Sequence, residues 1–184
     1  MLVTHIITSL GNGGAEATLF KLCALEKTHQ HTVIVLASEG QYASLLRSEG
    51  VPVYSIGLKR SGVNFWVVAK LFVLLWKWKP QIVQTWLPHA DIIGGVVSRL
   101  LGVENILNFQ TALCYGVPVH TPITVNHPIL PQTSYAISKV AAEQYLMNSG
   151  LNVISLRIAN VASPYLSIGP IPTFYKRLKA RQKC

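Results

Sequence analysis

Short apolar runs alternate with longer amphipathic stretches along most of the chain. The short runs are rich in β-branched residues, which predicts strands, and the longer stretches repeat apolar residues every three or four positions, which predicts helices. The predicted strands are 2–8, 31–37, 53–56, 82–85, 105–111 and 152–158, and the predicted helices are 15–28, 42–49, 64–78, 89–101 and 134–148. Repeated strand–helix units predict an α/β fold with a mostly parallel sheet of about six strands, covered by helices on both faces.

Composition supports one packed domain and places most of the positive charge near the C-terminus. The 184 residues are 50% hydrophobic and 12% charged, which argues against disorder. Residues 108–184 carry seven Lys or Arg against one acid, and five of these bases lie between Lys176 and Lys183. Such a tail attracts phosphate or anionic lipid without base selectivity, so no specific nucleic acid is expected. A solvated chain end is the alternative.

The three cysteines lie far apart, at positions 23, 114 and 184. This spacing fits neither a disulfide framework nor a metal site with paired ligands, so the sequence predicts no metal and a reducing compartment. The chain opens with the strand-like Leu2–Thr8, which lacks the basic region of a signal peptide. We therefore expect a cytoplasmic protein.

The most apolar stretch, 63–78, is interrupted by Lys70 and is too short to cross a bilayer. Its aromatic residues Phe65, Trp66, Trp76 and Trp78 have basic neighbours, a combination typical of lipid interfaces. A peripheral contact with an anionic membrane, at its inner face, is one interpretation. A helix packed on the sheet is the other.

A glycine-rich loop, Gly11-Asn12-Gly13-Gly14, separates the first predicted strand from the first predicted helix. Backbone amides at such a position approach a ligand closely, and the helix N-terminus favours an anion, so a phosphate-bearing ligand is expected. Gly11, Gly14 and Ala17 also fit a loose dinucleotide-binding pattern. Against nicotinamide binding, the second strand runs into Leu36-Ala37-Ser38-Glu39 with no acid at its tip to hold a ribose.

Residues 1–107 resemble the N-terminal, acceptor-binding domain of retaining GT-B glycosyltransferases. The resemblance is carried by 6–16, 51–54, 79–86 and 89–95. It implies a glycosyltransferase-like protein of surface polysaccharide (lipopolysaccharide or capsule) biosynthesis that needs no cofactor and acts on a glycan or lipid-linked acceptor. The domain that binds the nucleotide sugar in that family is missing, so we expect little or no activity alone. The resemblance makes His89 and Asp91 candidate binding residues, although Asp91 also suits the first turn of a helix.

Tyr135 and Lys139 are four residues apart, so they share one face of the predicted helix. An ammonium group beside a phenol lowers its pKa, which would let the tyrosine act as a general acid or base. With seven Tyr in the chain, such a pair also arises by chance. The spacing alone therefore decides nothing.

Residues 108–184 resemble the middle of an extended short-chain dehydrogenase of the NAD-dependent nucleotide-sugar epimerase/dehydratase type. The resemblance is carried by 109–116, Tyr135 with Lys139, 156–161 and Pro164. It implies that Thr111 orients the substrate, Tyr135 is the acid/base and Lys139 activates it and contacts the cofactor ribose. It also implies that Asn160 contacts the nucleotide sugar. The family's own cofactor loop does not precede this segment.

The two resemblances meet near residue 108, inside the predicted fifth strand. Both parent folds are Rossmann-like, so a single three-layer domain with strand order 3-2-1-4-5-6 can form across the seam. We therefore divide the chain into segments 1–107 and 108–184 of one sheet. The glycosyltransferase is the preferred interpretation, the epimerase/dehydratase with NAD is the first alternative, and a noncatalytic membrane- or partner-binding module is the second.

Overall fold

A computed structural model describes residues 1–58 and 65–159, together with Lys176 and Lys179. The candidate Asn160 and nearly all of the basic tail lie outside the described residues. Within them the chain forms β1 (Leu2–Ile7), α1 (Gly14–Leu25), β2 (Gln30–Val35), α2 (Gln41–Ser48), β3 (Val53–Ser55), α3 (Phe65–Trp78), β4 (Ile82–Trp86), α4 (Pro88–Leu100), β5 (Asn105–Thr111), a short 3-10 helix (Ala112–Tyr115), α5 (Ser134–Met147) and β6 (Asn152–Ile158).

The described strands form one parallel sheet in the order β3-β2-β1-β4-β5-β6, which confirms the predicted fold. Buried side chains of α1 and α2 form one apolar layer, whereas those of α3 and α4 form a second layer with other residues of the same strands. The sheet is therefore covered on both faces, as the βα rhythm requires. In such a sheet, ligands bind at the carboxyl ends of the strands.

Two adjacent glycines of α4 allow close packing on both of its neighbours. A Cβ on Gly94 would lie 3.1 Å from Thr85 Cγ2 in β4, and a Cβ on Gly95 would overlap with Leu146 Cδ2 in α5. Because α4 precedes residue 108 and α5 follows it, the parts of the chain on either side of the seam fit together in one core. The division at 108 into segments of different origin stays a prediction.

The aromatic helix α3 packs on the sheet through Val67, Leu71 and Leu75, all of them buried. The helix packed on the sheet, the second interpretation of this stretch, is therefore the one observed. Its opposite side leaves Phe65 and Trp66 more than 70% exposed, so the expected contact with an anionic membrane stays a prediction. Among the described residues, no helix is long and apolar enough to span a bilayer.

The proline-rich segment 116–131 is irregular, as expected, and a buried histidine holds it in place. His127 Nε2 accepts a hydrogen bond of 3.1 Å from the Val119 amide, and its ring meets the Tyr115 ring edge-on with centroids 5.4 Å apart. The Leu130 amide also donates to the Cys114 carbonyl, at 2.9 Å. The loop thus closes on the 3-10 helix that follows β5.

Candidate functional site

The glycine loop leaves open space at the N-terminus of α1. A Cβ built on Gly11 or on Gly14 would have no neighbouring atom within 4 Å, and neither residue has a positive φ. Packing within the described chain does not require glycine at these two positions. The open space beside them leaves room for a ligand to approach the backbone amides, and a helix N-terminus favours an anionic one. Asn12, between them, is exposed.

The neighbouring loop between β2 and α2 packs against the glycine loop. The Leu10 amide donates to the Ser38 carbonyl at 3.4 Å, and a Cβ on Gly40 would collide with the Leu10 carbonyl. Glu39, the acid nearest the tip of β2, accepts hydrogen bonds of 2.7 and 2.8 Å from the Arg47 guanidinium. The glycine loop stays a candidate site for a diphosphate, and the Glu39 carboxylate, the nearest one that could hold a ribose, is paired with Arg47.

The Tyr135–Lys139 pair lies in the first half of α5. This helix begins where it does because the Thr133 side chain caps it, accepting a hydrogen bond of 3.1 Å from the Ala136 amide. Tyr135 is 44% exposed and Lys139 only 2%. The phenol is thus open to a ligand while the ammonium is enclosed.

A buried ion pair holds the Lys139 ammonium. Its Nζ donates to Asp91 Oδ2 at 2.6 Å and to the Phe109 carbonyl at 2.5 Å. Both members of the pair are at most 2% exposed. Asp91 was a candidate acceptor-binding residue or a first-turn acid of a helix; it lies in the first turn of α4, where it is the counter-ion of Lys139 in α5.

The expected effect of Lys139 on Tyr135 is wrong for this structure. The pKa of Tyr135 is raised from its usual value, first by burial and then by the carboxylates of Asp91 and Glu16. Burial is the largest cause, and the Asp91 carboxylate, which also pairs with the Lys139 ammonium, adds to it. In this state the phenol keeps its proton well above neutral pH.

Asp91 itself lies in a low-dielectric environment. Burial raises its pKa, while Lys139 acts most strongly in the opposite direction, followed by Thr85 and Asn108. Its second oxygen, Oδ1, has no well-aligned hydrogen bond among the described residues. A buried carboxylate needs a charged partner at such a position, and Lys139 is that partner.

The end of β5 is bound to α5 by Gln110, a residue that the sequence analysis missed. Gln110 Nε2 donates to the Lys139 carbonyl at 2.9 Å and to Glu143 Oε2 at 3.2 Å. Its Oε1 accepts from the Thr111 amide at 2.9 Å, and Thr111 Oγ1 accepts from the Leu113 amide at 3.3 Å. Thr111 is thereby fixed at the carboxyl end of its strand. A Gln next to the candidate Thr was the available sequence signal.

Two charged residues continue this network to the edge of the sheet. Arg157 in β6 donates to both carboxylate oxygens of Glu143, at 3.1 and 3.2 Å, and to the Tyr115 hydroxyl at 3.2 Å. These bonds raise the pKa of Arg157, although its partial burial acts against them. The network fixes α5, and with it Tyr135, relative to β5 and β6.

The structure therefore brings together some of the predicted residues and not others. Asp91 and Lys139 are in contact beside Phe109, two residues before Thr111 in β5. The carboxylate of Glu16, in the first turn of α1 and beside Gly13, is close enough to act on the pKa of Tyr135. His89 is exposed in the first turn of α4.

The second half of the chain is similar to a known protein family. Residues 95–184 match the NAD dependent epimerase/dehydratase family. The second half of the chain therefore resembles that family, as predicted. The match begins inside α4, ahead of the seam at residue 108, and so includes part of the first segment.

Individual relatives point the same way. A UDP-glucose 4-epimerase of Corynebacterium glutamicum is 37% identical over 75 residues, which are 39% of this chain and 23% of that protein. The enzyme WbmG of Bordetella bronchiseptica, solved in complex with NAD, is 35% identical with a TM-score of 0.68. That similarity covers 98% of this chain and 61% of WbmG. The enzyme WbmH of the same organism, solved with NAD⁺, is 27% identical over the whole chain and 64% of its own length, with a TM-score of 0.66.

These findings correct the preferred interpretation. The glycosyltransferase prediction is wrong, because the relatives are epimerases and NAD-bound structures match nearly the whole chain, including the residues before 108. The expectation that the protein needs no cofactor followed from the glycosyltransferase prediction, and the NAD-bound structures do not support it. The chain spans less than two thirds of the solved structures it matches.

Proposed function

We propose that this chain carries the cofactor-binding and proton-transfer residues of an NAD-dependent nucleotide-sugar epimerase or dehydratase. One observation carries the proposal: 98% of the chain matches WbmG, solved in complex with NAD, at 35% identity. The glycine loop follows β1 and Tyr135 begins α5, which follows β5, and ligands of such parallel sheets bind at the carboxyl ends of the strands. We infer that both border one cofactor cleft, in which residues 11–14 serve as the cofactor loop.

The residues of the cleft suit the diphosphate of NAD better than its adenosine ribose. The open positions beside Gly11 and Gly14 and the N-terminus of α1 suit a diphosphate. At the ribose end, Ala37 and Ser38 occupy the tip of β2, and Glu39 is paired with Arg47. We therefore expect NAD to bind through its diphosphate, with weaker affinity than in a site that also holds the adenosine ribose.

Each candidate side chain has a definite task in this proposal. NAD, when bound, would supply the acceptor for the hydride that leaves the sugar carbon bearing the reacting hydroxyl. Tyr135 exchanges the proton of the reacting sugar hydroxyl at its Oη, and Thr111 orients that hydroxyl from the end of β5. Lys139 supplies the positive charge of the site, and Asp91 and the Phe109 carbonyl fix its position.

Burial and the carboxylates of Asp91 and Glu16 raise the pKa of Tyr135, so the phenol holds its proton in the cofactor-free state. Oxidation of a sugar hydroxyl requires Tyr135 to accept a proton, so the phenol must first lose its own. Added positive charge near Oη would favour that loss. Nucleotide sugar is the expected substrate class, since WbmG is known in complex with NAD and UDP. Asn160 stays a predicted contact to it.

The test is a long incubation of the chain with NAD and UDP-glucose, followed by NMR of the sugar and by absorbance of reduced nicotinamide. We expect a slow change at the sugar ring or reduction of the bound NAD, and loss of both in Tyr135→Phe. Tyr54→Phe, at an exposed tyrosine of β3, is the matched control and should behave like the parent. Parent-like chemistry in Tyr135→Phe, or no chemistry in a parent that binds NAD, would overturn the proposed reaction.

A further inference from the structure

A second group of chemically reactive side chains lies away from this cleft. His5 in β1, Cys23 in α1 and His31 in β2 meet on the sheet face covered by α1 and α2. His5 and Cys23 are at most 1% exposed, and the His31 side chain is 6% exposed. Nothing in the proposed reaction uses these residues.

Their potential ligand atoms lie close together. One nitrogen of each histidine and the Cys23 sulfur are all within 4.8 Å of one another, and His5 Nε2 is 2.9 Å from His31 Nδ1. Zn²⁺ binds nitrogen at about 2.0–2.1 Å and thiolate sulfur at about 2.3 Å, so donors around one ion are separated by roughly 3.5 Å. Small side-chain movements would place all three around one cation.

The surroundings favour histidine as a ligand. Burial lowers the pKa of His5 to about 3, so its ring is neutral at physiological pH. His31 Nε2 is 2.7 Å from Glu26 Oε2. A carboxylate that accepts the proton of one ring nitrogen leaves the lone pair of the other for a metal, which is the usual arrangement around metal-bound histidine.

Without a metal, the same histidine nitrogens form hydrogen bonds with each other and with Trp86. The Trp86 indole can only donate, so its contact of 3.4 Å with His5 Nδ1 places the His5 proton on Nε2, facing His31. Metal binding at Nε2 would move this proton to Nδ1. A protonated Nδ1 no longer accepts a hydrogen bond, so the long contact with the indole would break. Burial raises the pKa of the Cys23 thiol to about 12, and a bound cation would displace that proton too.

A surface cavity gives access to the group. It has a volume of about 350 Å³ and is lined by Cys23, Glu26, His29 and His31, among other residues. A cation can therefore reach the cysteine and His31 without unfolding the sheet. A water molecule in this cavity can complete a four-coordinate site.

We propose that His5, Cys23 and His31 bind a divalent cation that prefers nitrogen and sulfur ligands, with Zn²⁺ as the expected ion. The ion would join β1, α1 and β2 and stabilise the first half of the sheet, because a ligand that binds only the folded state favours it. The sequence analysis predicted no metal site because these ligands have no paired spacing. They meet only after the βαβ unit folds.

The test uses Co²⁺ as a spectroscopic substitute for Zn²⁺, in the full chain carrying Cys114→Ser and Cys184→Ser. Cys23 is then the only thiol, so a thiolate-to-cobalt charge-transfer band reports on that residue alone. We expect this band to appear at one equivalent of Co²⁺ and to disappear when Zn²⁺ is added. We also expect Zn²⁺ to raise the melting temperature.

Two variants decide whether the band comes from the proposed site. Cys23→Ser should abolish it, and His31→Gln should weaken metal binding by at least about tenfold. Circular dichroism of each variant without metal establishes that it folds, and His29→Gln, at a half-exposed histidine near the same cavity, is the control that should keep the band. No thiolate band in the folded parent, or equal Zn²⁺ affinity in the parent and folded His31→Gln, would overturn the proposal.

Discussion

Asp91 Oδ2 lies 2.6 Å from Lys139 Nζ, and both side chains are buried. The two residues come from opposite sides of residue 108, on helices that pack against each other. This contact gives both residues a role that differs from the one expected from the sequence. Asp91 is the counter-ion of Lys139 and, after burial, the largest cause of the raised Tyr135 pKa.

Replacing Asp91 by Asn should lower the pKa of Tyr135. The carboxylate raises that pKa in the parent chain, so removing its charge removes an obstacle to ionisation. The uncompensated Lys139 ammonium acts in the same direction. The measurement is the tyrosinate absorbance that disappears in the Tyr135→Phe background, followed during a pH titration.

Glu16→Gln provides a comparison for this titration. Glu16 also raises the pKa of Tyr135, but less than Asp91 does. We therefore expect a shift in the same direction and of smaller size. An unchanged or higher Tyr135 pKa in Asp91→Asn would show that the two groups are not coupled as the structure implies.

Breaking the buried pair should also destabilise the fold. Asp91→Leu or Lys139→Met leaves one uncompensated buried charge, which typically costs about 3–5 kcal/mol in the free energy of unfolding. The double variant removes both charges and should lose much less than the sum of the two single variants. Urea unfolding of the four proteins measures this, and simple additivity would count against a direct interaction.

The contact between α4 and α5 can be tested at Gly95. A Cβ there would overlap with Leu146 Cδ2, so Gly95→Ala should lower the free energy of unfolding by about 1–3 kcal/mol. Gly14→Ala is the matched variant, because its Cβ meets no neighbouring atom. Its stability should stay the same or rise by about 0.4–1 kcal/mol. Equal effects of the two substitutions in urea unfolding would contradict the packing described here.

Most of the fold could be predicted from local patterns. Strands and helices were expected within a few residues of their observed bounds, and β5 and β6 at the bounds observed, because apolar periodicity and Gly or Pro at helix ends are local signals. The 3-10 helix at Ala112–Tyr115 was missed. Four residues are too few for a periodicity, although Thr111, which caps it, was a usable signal.

The candidate site was less predictable because its contacts are long-range. Asp91 and Lys139 are 48 residues apart in the chain and meet only through the packing of α4 on α5. The four-residue spacing of Tyr135 and Lys139 correctly placed both on α5, but it did not reveal where the ammonium points. Resemblance of the first segment to glycosyltransferases assigned Asp91 a different role, which the structure corrects.

The most direct test of the proposed function is calorimetric titration of NAD into the chain and into Gly14→Ala. We expect the parent to bind NAD, and Gly14→Ala to weaken binding by at least about tenfold, or about 1.4 kcal/mol, with no loss of stability. Thr18→Ala, on the exposed side of α1, is the control and should bind like the parent. Absence of NAD binding by the folded parent, or equal affinity in Gly14→Ala, would contradict a cofactor site at the glycine loop.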